Sequence, residues 1–215
     1  MTDHDHKHDQ ADQMFEPEAW DERYSGEGQM WSGHPNPQLV AEVTPLTPGT
    51  AVDVGCGEGA DVIWLAQQGW EVTGADFSAA GLARAARHAE AAGVAERTQW
   101  WQVDAREFDA EGRTWDLVAT HFLHPPEGGM VEVTRRLATA VAPGGHLLVV
   151  GHAPSEELMQ GNPEKHRAMF VATDLLPALP EDFEALVVEQ RPRTVTREGR
   201  TFEIDDSTLL ARRRG

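Results

Sequence analysis

The chain is poor in cysteine, in basic residues and in long apolar runs, and each shortage closes off a class of protein. One cysteine, Cys56, in 215 residues excludes any intramolecular disulfide and any metal centre built from clustered cysteines. That usage fits a reducing compartment, so a cytoplasmic location is the expectation. The most apolar stretch, Leu137 to Gly151, is broken by Pro143, Gly144, Gly145 and His146. It falls short of the ~20 apolar residues that a membrane span needs. Residues 1–20 are polar and acidic rather than basic and then apolar, which is not a secretory pattern. A soluble chain is expected. Lysine and arginine number 18 against 36 aspartates and glutamates, a formal net charge of −18. So acidic a surface repels phosphate backbones. The basic residues are scattered, apart from a terminal run at Arg212, Arg213 and Arg214, and no nucleic-acid partner is expected.

What remains is ordinary globular material, 40% hydrophobic and 25% charged. A single domain of this size buries roughly 70% of the surface that its unfolded chain exposes. The opening Met1–Gln13 alternates His4, His6 and His8 with Asp3, Asp5 and Asp9 and is nearly devoid of apolar residues. It cannot offset its ordering entropy by burial and is expected to be a disordered tail, 1–13. Its imidazoles and carboxylates are metal-ligand types, but a flexible tail fixes no geometry, and no metal site is expected.

Residues 14–215 are expected to form one domain. A short helix at Glu18–Ser25 is followed by a loop carrying Trp31, His34, Pro35 and Pro37, then a helix near Gln38–Val43. Strand and helix patterns then alternate. Strands are expected at Thr50–Val54, Trp70–Ala75, Thr98–Val103, Trp115–Thr120 and His146–Gly151. The helices between them are expected at Ala60–Gln68, Ala79–Ala92 and Glu127–Val141, the last closed by Pro143-Gly144-Gly145. Such alternation predicts crossover units and a parallel sheet covered on both faces. Phe183–Gln190 and Phe202–Arg212 leave no room for a helix between them and must pair as an antiparallel hairpin around Glu198-Gly199.

The strongest local signal is Val52-Asp53-Val54-Gly55-Cys56-Gly57-Glu58-Gly59-Ala60 at a strand-to-helix junction. Its glycines permit a tight turn and a close backbone approach to a ligand. Gly55, Gly57 and Ala60 also satisfy the spacing of dinucleotide-binding turns, so an NAD(P)-dependent oxidoreductase is a rival. A carboxylate at Asp53, two residues before Gly55, suits an amino group better than a pyrophosphate, which it repels. Asp76 ends the second strand, where a carboxylate can accept both hydroxyls of a ribose, and Phe77 can cover an adenine face. Asp104 ends the third strand, placed to accept from an adenine amino group. Ligands of such sheets bind at these strand ends. Cys56 reads as a small residue filling the turn.

With these segments and Val141-Ala142-Pro143-Gly144-Gly145, the chain resembles the class I S-adenosylmethionine-dependent methyltransferases over roughly residues 15–213. The resemblance implies a Rossmann-like α/β sheet of seven strands, mostly parallel with a C-terminal antiparallel hairpin. It implies S-adenosylmethionine as cofactor and S-adenosylhomocysteine as product. It also implies that Asp53 and the turn with Gly55, Cys56 and Gly57 face the methionine part, while Asp76 and Phe77 take the ribose and adenine. Asp104 and the Ala105 N–H would read the adenine edge. Thr120 and His121 would border the sulfonium and the acceptor.

The segment from Trp20 to Pro37 resembles the lid of small-molecule members, including the tellurite-resistance and thiopurine methyltransferase-like groups. Tyr24 would contact the cofactor carboxylate and Trp31 would wall off the methyl group, within a lid spanning 14–45. An insertion at 154–180, carrying Met159, Met169 and Phe170, would complete a small-molecule pocket or simply pack on the sheet. His121-Phe122-Leu123 stands where enzymes that methylate exocyclic amines of bases carry an Asn/Asp-Pro-Pro-aromatic run, which disfavours DNA-adenine or similar rRNA methylation. His121 or His124 is a candidate general base, because a neutral imidazole can take a proton near pH 7. The expected form is a monomer or a homodimer. A non-catalytic cofactor- or metal-binding protein is the further alternative.

Overall fold

Thr50–Val54 (β1) is buried on both faces: Ala51, Val52 and Val54 are inaccessible to solvent, as a strand inside a covered parallel sheet requires. The computed structural model describes residues 16–26, 28, 30–123, 125, 129–155, 169–197 and 200–215. Two short helices, Pro17–Ser25 (α1) and Pro37–Val43 (α2), precede β1. Next come Ala60–Gln67 (α3), Glu71–Asp76 (β2), Ala79–Ala91 (α4), Thr98–Gln102 (β3), Trp115–His121 (β4), Met130–Thr139 (α5) and Val141–His152 (β5). The chain ends in a long hairpin, Phe183–Arg197 (β6) and Arg200–Arg213 (β7).

The seven strands lie in the order β3-β2-β1-β4-β5-β7-β6. Neighbours from β3 to β5 pair in parallel, whereas β7 runs antiparallel to both β5 and β6. The expected mostly parallel sheet with its terminal antiparallel hairpin is therefore the observed fold. The strand order turns back between β1 and β4, which opens a crevice at their carboxyl ends.

The pleat sorts the side chains onto two faces. Val52, Val118, Leu147 and Leu209 pack with Val133 and Leu137 of α5 on one face. Ala51, Leu117, Leu148 and Leu210 pack with Leu39, Val62 and Leu65 of α2 and α3 on the other. Continuing the second series by twos along each strand reaches Asp53, His121, His152 and Asp206. A row of polar groups thus caps the core next to α2 and α3.

Most boundaries agree with the sequence reading to within one residue, and the larger differences fall in three places. β5 begins at Val141, because Val141 pairs with Trp115 before His146 pairs with Leu117. The intervening Pro143-Gly144-Gly145 is an irregularity inside the strand pairing rather than a connection before it. The terminal strands extend well past the predicted ends, since the hairpin continues its ladder to Arg197 and Arg200. α5 is shorter than expected, starting at Met130 and ending at Thr139. The tail 1–13, the turn at Glu198-Gly199 and Met159 lie outside the described residues. Phe170 is buried in the core against Gly151, so it packs the sheet instead of lining a pocket.

Candidate functional site

Gly55, Gly57 and Gly59 have φ of 82°, 52° and 83°, a left-handed backbone that other residues rarely adopt. The turn is tied to the end of β2, because the Gly55 and Cys56 N–H groups both donate to the Ala75 carbonyl, at 2.8 and 3.0 Å. Asp76 braces it from the same strand. Its Oδ2 accepts from the Gly57 N–H at 2.8 Å and its Oδ1 from the Ser78 N–H at 2.9 Å. Each oxygen keeps a second lone pair for a ligand hydroxyl. Burial raises the Asp76 pKa despite these donors. Cys56 is partly buried beside Gly74 and Trp100; burial, with Asp76 and Asp53 adding, pushes its thiol well above the usual value. It is a packing residue, not a nucleophile.

On the other side of the turn, Asp53 at the end of β1 is 2% exposed. His121 at the end of β4 places Nδ1 3.2 Å from Asp53 Oδ1 and 3.0 Å from Asp61 Oδ2, in the first turn of α3. Neither carboxylate lies in line with the ring N–H, and among the described residues Asp53 Oδ1 has no hydrogen-bond partner. Burial alone would lower the His121 pKa, but Asp61 and Asp53 outweigh it and push it up to about 10. Asp53 is raised by burial and held back by His121. An imidazole so placed holds its proton at neutral pH, which is the wrong state for a general base. His124 lies outside the described residues.

The segment before α2 folds over the turn. A Cβ on Gly57 would stand 2.7 Å from Tyr24 Oη and 3.5 Å from Trp31 Nε1. The Trp31 indole donates to Tyr24 Oη at 3.1 Å, and Trp20 stacks on Trp31. Burial raises the Tyr24 pKa, so the phenol keeps its proton to donate. Glu58, inside the glycine turn and 4% exposed, is the anchor. Its carboxylate accepts from the Met30 and Trp31 N–H groups at 3.1 Å and from Arg84 of α4 at 2.7 Å. Arg84 also donates to the Gly26 and Gly28 carbonyls. Asp21 of α1 accepts from the Ser78 hydroxyl and the Ala80 N–H at the start of α4. The sequence reading gives Glu58, Arg84, Asp21 and Asp61 no role. Their partners lie 25 or more positions away, so only the fold reveals them.

The remaining predicted residues are spread around this centre. Asp104 caps the turn after β3 and is bound by Arg106, whose Nη2 approaches it at 2.7 Å and which also reaches Glu16. Ala105 is buried beside it, and the Phe77 carbonyl accepts from Gln102. The Thr120 hydroxyl donates to the Val54 carbonyl at 2.8 Å, so it joins β4 to β1 within the sheet. Phe122, directly after β4, has a positive φ of 52°, rare for a bulky residue. Its ring packs on His152 at 4.5 Å, under the Arg193 guanidinium at 5.3 Å. Arg193 in turn binds the fully buried Asp206 at 2.8 and 3.1 Å.

Residues 51–145 match the family of the methyltransferase domain. Over 109 residues the chain is 30% identical to ribosomal RNA small subunit methyltransferase C of Alcanivorax borkumensis, covering 49% of this chain and 33% of that protein. Over 125 residues it is 32% identical to phosphatidylethanolamine N-methyltransferase of Cereibacter sphaeroides, covering 58% of this chain and 61% of that one. The chain thus spans about a third and about three-fifths of these relatives' lengths. Among solved structures, magnesium protoporphyrin IX methyltransferase of Synechocystis, with bound S-adenosylhomocysteine, superposes with a TM-score of 0.64. It is 20% identical, and 96% of this chain and 99% of that chain are covered. The glycine turn braced by strand-end carboxylates lies within residues 51–145, the stretch that matches the methyltransferase domain, and the fold is the one shared by solved class I S-adenosylmethionine-dependent methyltransferases.

Proposed function

We propose that the chain transfers the methyl group of S-adenosylmethionine to a small-molecule acceptor. The observation that carries this reading is the carboxylate pair Asp53 and Asp76 on either side of the left-handed glycine turn. Among the described residues one has a buried oxygen without a partner and the other has spare lone pairs, an acceptor set that suits an ammonium group and ribose hydroxyls. When bound, the cofactor supplies an electrophilic methyl on a sulfonium. Asp53 then faces the amino group and Asp76 takes the ribose hydroxyls, with Phe77, Asp104 and the Ala105 N–H around the base. Gly55, Cys56 and Gly57 supply backbone close to the ligand, and the protonated Tyr24 donates to the carboxylate. Thr120 and His121 border the sulfonium. Trp31 and the Glu58–Arg84 latch exclude water, which strengthens the electrostatics of the closed site.

His121 positions rather than deprotonates. An acceptor that is a thiolate or a neutral amine needs only alignment in line with the methyl carbon and sulfur. On this reading the acceptor binds between the lid, residues 121–126 and the segment 154–180, of which 124, 126 and 156–168 lie outside the described residues. Phe122, His152 and Arg193 stand at the neighbouring strand ends. The net charge of −18 argues for a small acceptor over nucleic acid, and the cysteine usage for the cytoplasm. The test is transfer of a tritiated methyl group into a panel of thiols, amines, hydroxyls, carboxylates and tellurium or selenium oxyanions, with ribosomal RNA and phospholipid as further arms. Label in a small molecule is expected. Label confined to RNA or lipid, or cofactor binding with no transfer into any class, contradicts the reading.

A further inference from the structure

His121, Asp53 and Asp61 bring three metal-ligand atoms, all within 4.8 Å of one another, to a single point below the glycine turn. They come from three different elements: the end of β1, the first turn of α3 and the end of β4. The arrangement is buried, with 4% of the His121 side chain, 2% of Asp53 and 16% of Asp61 exposed. Such a cluster of carboxylates alone is unremarkable, since acids at a ligand crevice serve other ends. Two further observations separate this one. Among the described residues, Asp53 Oδ1 and both ring nitrogens of His121 have no hydrogen-bond partner, although they are inaccessible to solvent. Buried polar groups left unpaired are costly, and those that persist call for an explanation.

The distances supply it. His121 Nδ1 lies 3.2 and 3.0 Å from two carboxylate oxygens that are both off its N–H axis. A transition-metal ion ~2.1 Å from each of two donors, with the donors ~90–100° apart at the metal, sets those donors ~3.0–3.2 Å apart. Asp61 is also oriented as a ligating carboxylate is, because its other oxygen accepts from the Asn36 N–H at 2.6 Å. One imidazole with two carboxylates is a set that Mn²⁺, Fe²⁺, Co²⁺ and Zn²⁺ accept.

We propose that Asp53, Asp61 and His121 bind a single divalent transition-metal ion, which displaces to solvent the ring proton that His121 otherwise keeps, and that this ion and the cofactor's ammonium group exclude one another. The second half rests on the proposed reading of Asp53 as the ammonium-facing residue. An ion between Asp53 and His121 takes up the negative charge that would otherwise attract the ammonium, and two cations in so small a space repel. Linkage makes the effect mutual: the metal weakens cofactor binding by the same factor that the cofactor weakens metal binding.

The test uses the full-length chain with His4, His6 and His8 changed to Ala, which removes the tail imidazoles as competing ligands. Co²⁺ is titrated and followed by its visible absorption, and S-adenosylhomocysteine is titrated by calorimetry with and without Co²⁺. One equivalent of Co²⁺ should bind, weakened about tenfold or more by Asp61→Asn. A variant with Asp61→Glu, which keeps the carboxylate, should recover part of the affinity. Circular dichroism of both variants shows that they remain folded. No Co²⁺ uptake, or uptake indifferent to both substitutions, overturns the metal site. Uptake that leaves the S-adenosylhomocysteine affinity unchanged overturns the exclusion. Failure of metal-free protein to bind S-adenosylhomocysteine instead refutes the cofactor reading, and the Co²⁺ arm still decides the metal site.

Discussion

Changing Asp76 to Asn separates the cofactor reading from a merely structural one. The Asp76 carboxylate accepts two backbone N–H bonds, at 2.8 and 2.9 Å, and would accept the ribose hydroxyls through its remaining lone pairs. An amide keeps one oxygen and turns an NH₂ toward a backbone donor. One of the two N–H groups then loses its partner inside the fold, at about 1–3 kcal/mol. For a chain of this length each kcal/mol lowers Tm by roughly 2–4 °C, so a fall of about 2–12 °C is expected. The cofactor loses more. A hydrogen bond to a charged acceptor contributes about 1.5–3 kcal/mol, so losing the one made by the replaced oxygen corresponds to a rise in Kd of roughly 10–10²-fold, and the remaining neutral oxygen holds its hydroxyl less tightly besides. The assay is calorimetric titration with S-adenosylhomocysteine at a temperature well below the variant's Tm. A Kd within threefold of the unmodified protein, with the fall in Tm as expected, would mean that Asp76 only braces the turn. The raised Asp76 pKa adds a sign. Because the ionised form is the acceptor, affinity should decline on acidification at a higher pH than for an ordinary carboxylate.

Four further outcomes follow from the same geometry. Glu58→Gln removes the negative partner of Arg84 and should raise Kd for the cofactor about tenfold or more; unchanged stopped-flow tryptophan fluorescence on binding would show that the latch does not control the lid. Gly74→Ala would place a methyl group 2.4 Å from the Trp100 ring and should destabilise the fold by about 1–3 kcal/mol, read by chemical denaturation. Cys56 should react with iodoacetamide far more slowly than a free thiol at pH 8, since burial raises its pKa; rapid labelling of folded protein would contradict that placement. For Asp206, burial alone would raise the pKa, but His152 and Arg193 outweigh it and hold the group low. A depressed carboxylate stabilises the fold above its unfolded pKa, and the contribution is lost as pH falls through the folded one. Asp206→Asn should therefore cost about 2–3 kcal/mol near pH 7, a value reduced for the partial exposure of Arg193, and the two melting curves should converge in acid.

Much of the fold was legible because it rests on local patterns. The apolar run Ala51–Val54 and the glycines behind it define β1 and its turn without reference to any distant residue. The hairpin at the C-terminus was visible as two strand patterns with no helix between them. What local pattern could not show is where strands continue through a breaker. Pro143-Gly144-Gly145 reads as a stop, yet Val141 already pairs with Trp115 on β4, since sheet pairing overrides local propensity.

The site divides the same way. Asp53, Asp76 and Asp104 stand out as acids ending apolar strands. Asp61 and Glu58 look like ordinary acids at a helix start, and their importance comes from His121, Asn36 and Arg84, which only the fold brings near. His121 was marked as a base from its side-chain type alone. Two carboxylates, one on the neighbouring strand β1 and one on helix α3, reverse that role by holding its proton.

The most direct measurement is calorimetric titration of the full-length protein with S-adenosylhomocysteine, with NADH titrated in parallel. One equivalent of S-adenosylhomocysteine with measurable heat, and none for NADH, is the predicted result. Saturation by NADH with no response to S-adenosylhomocysteine or S-adenosylmethionine would contradict the assignment of the strand-end carboxylates.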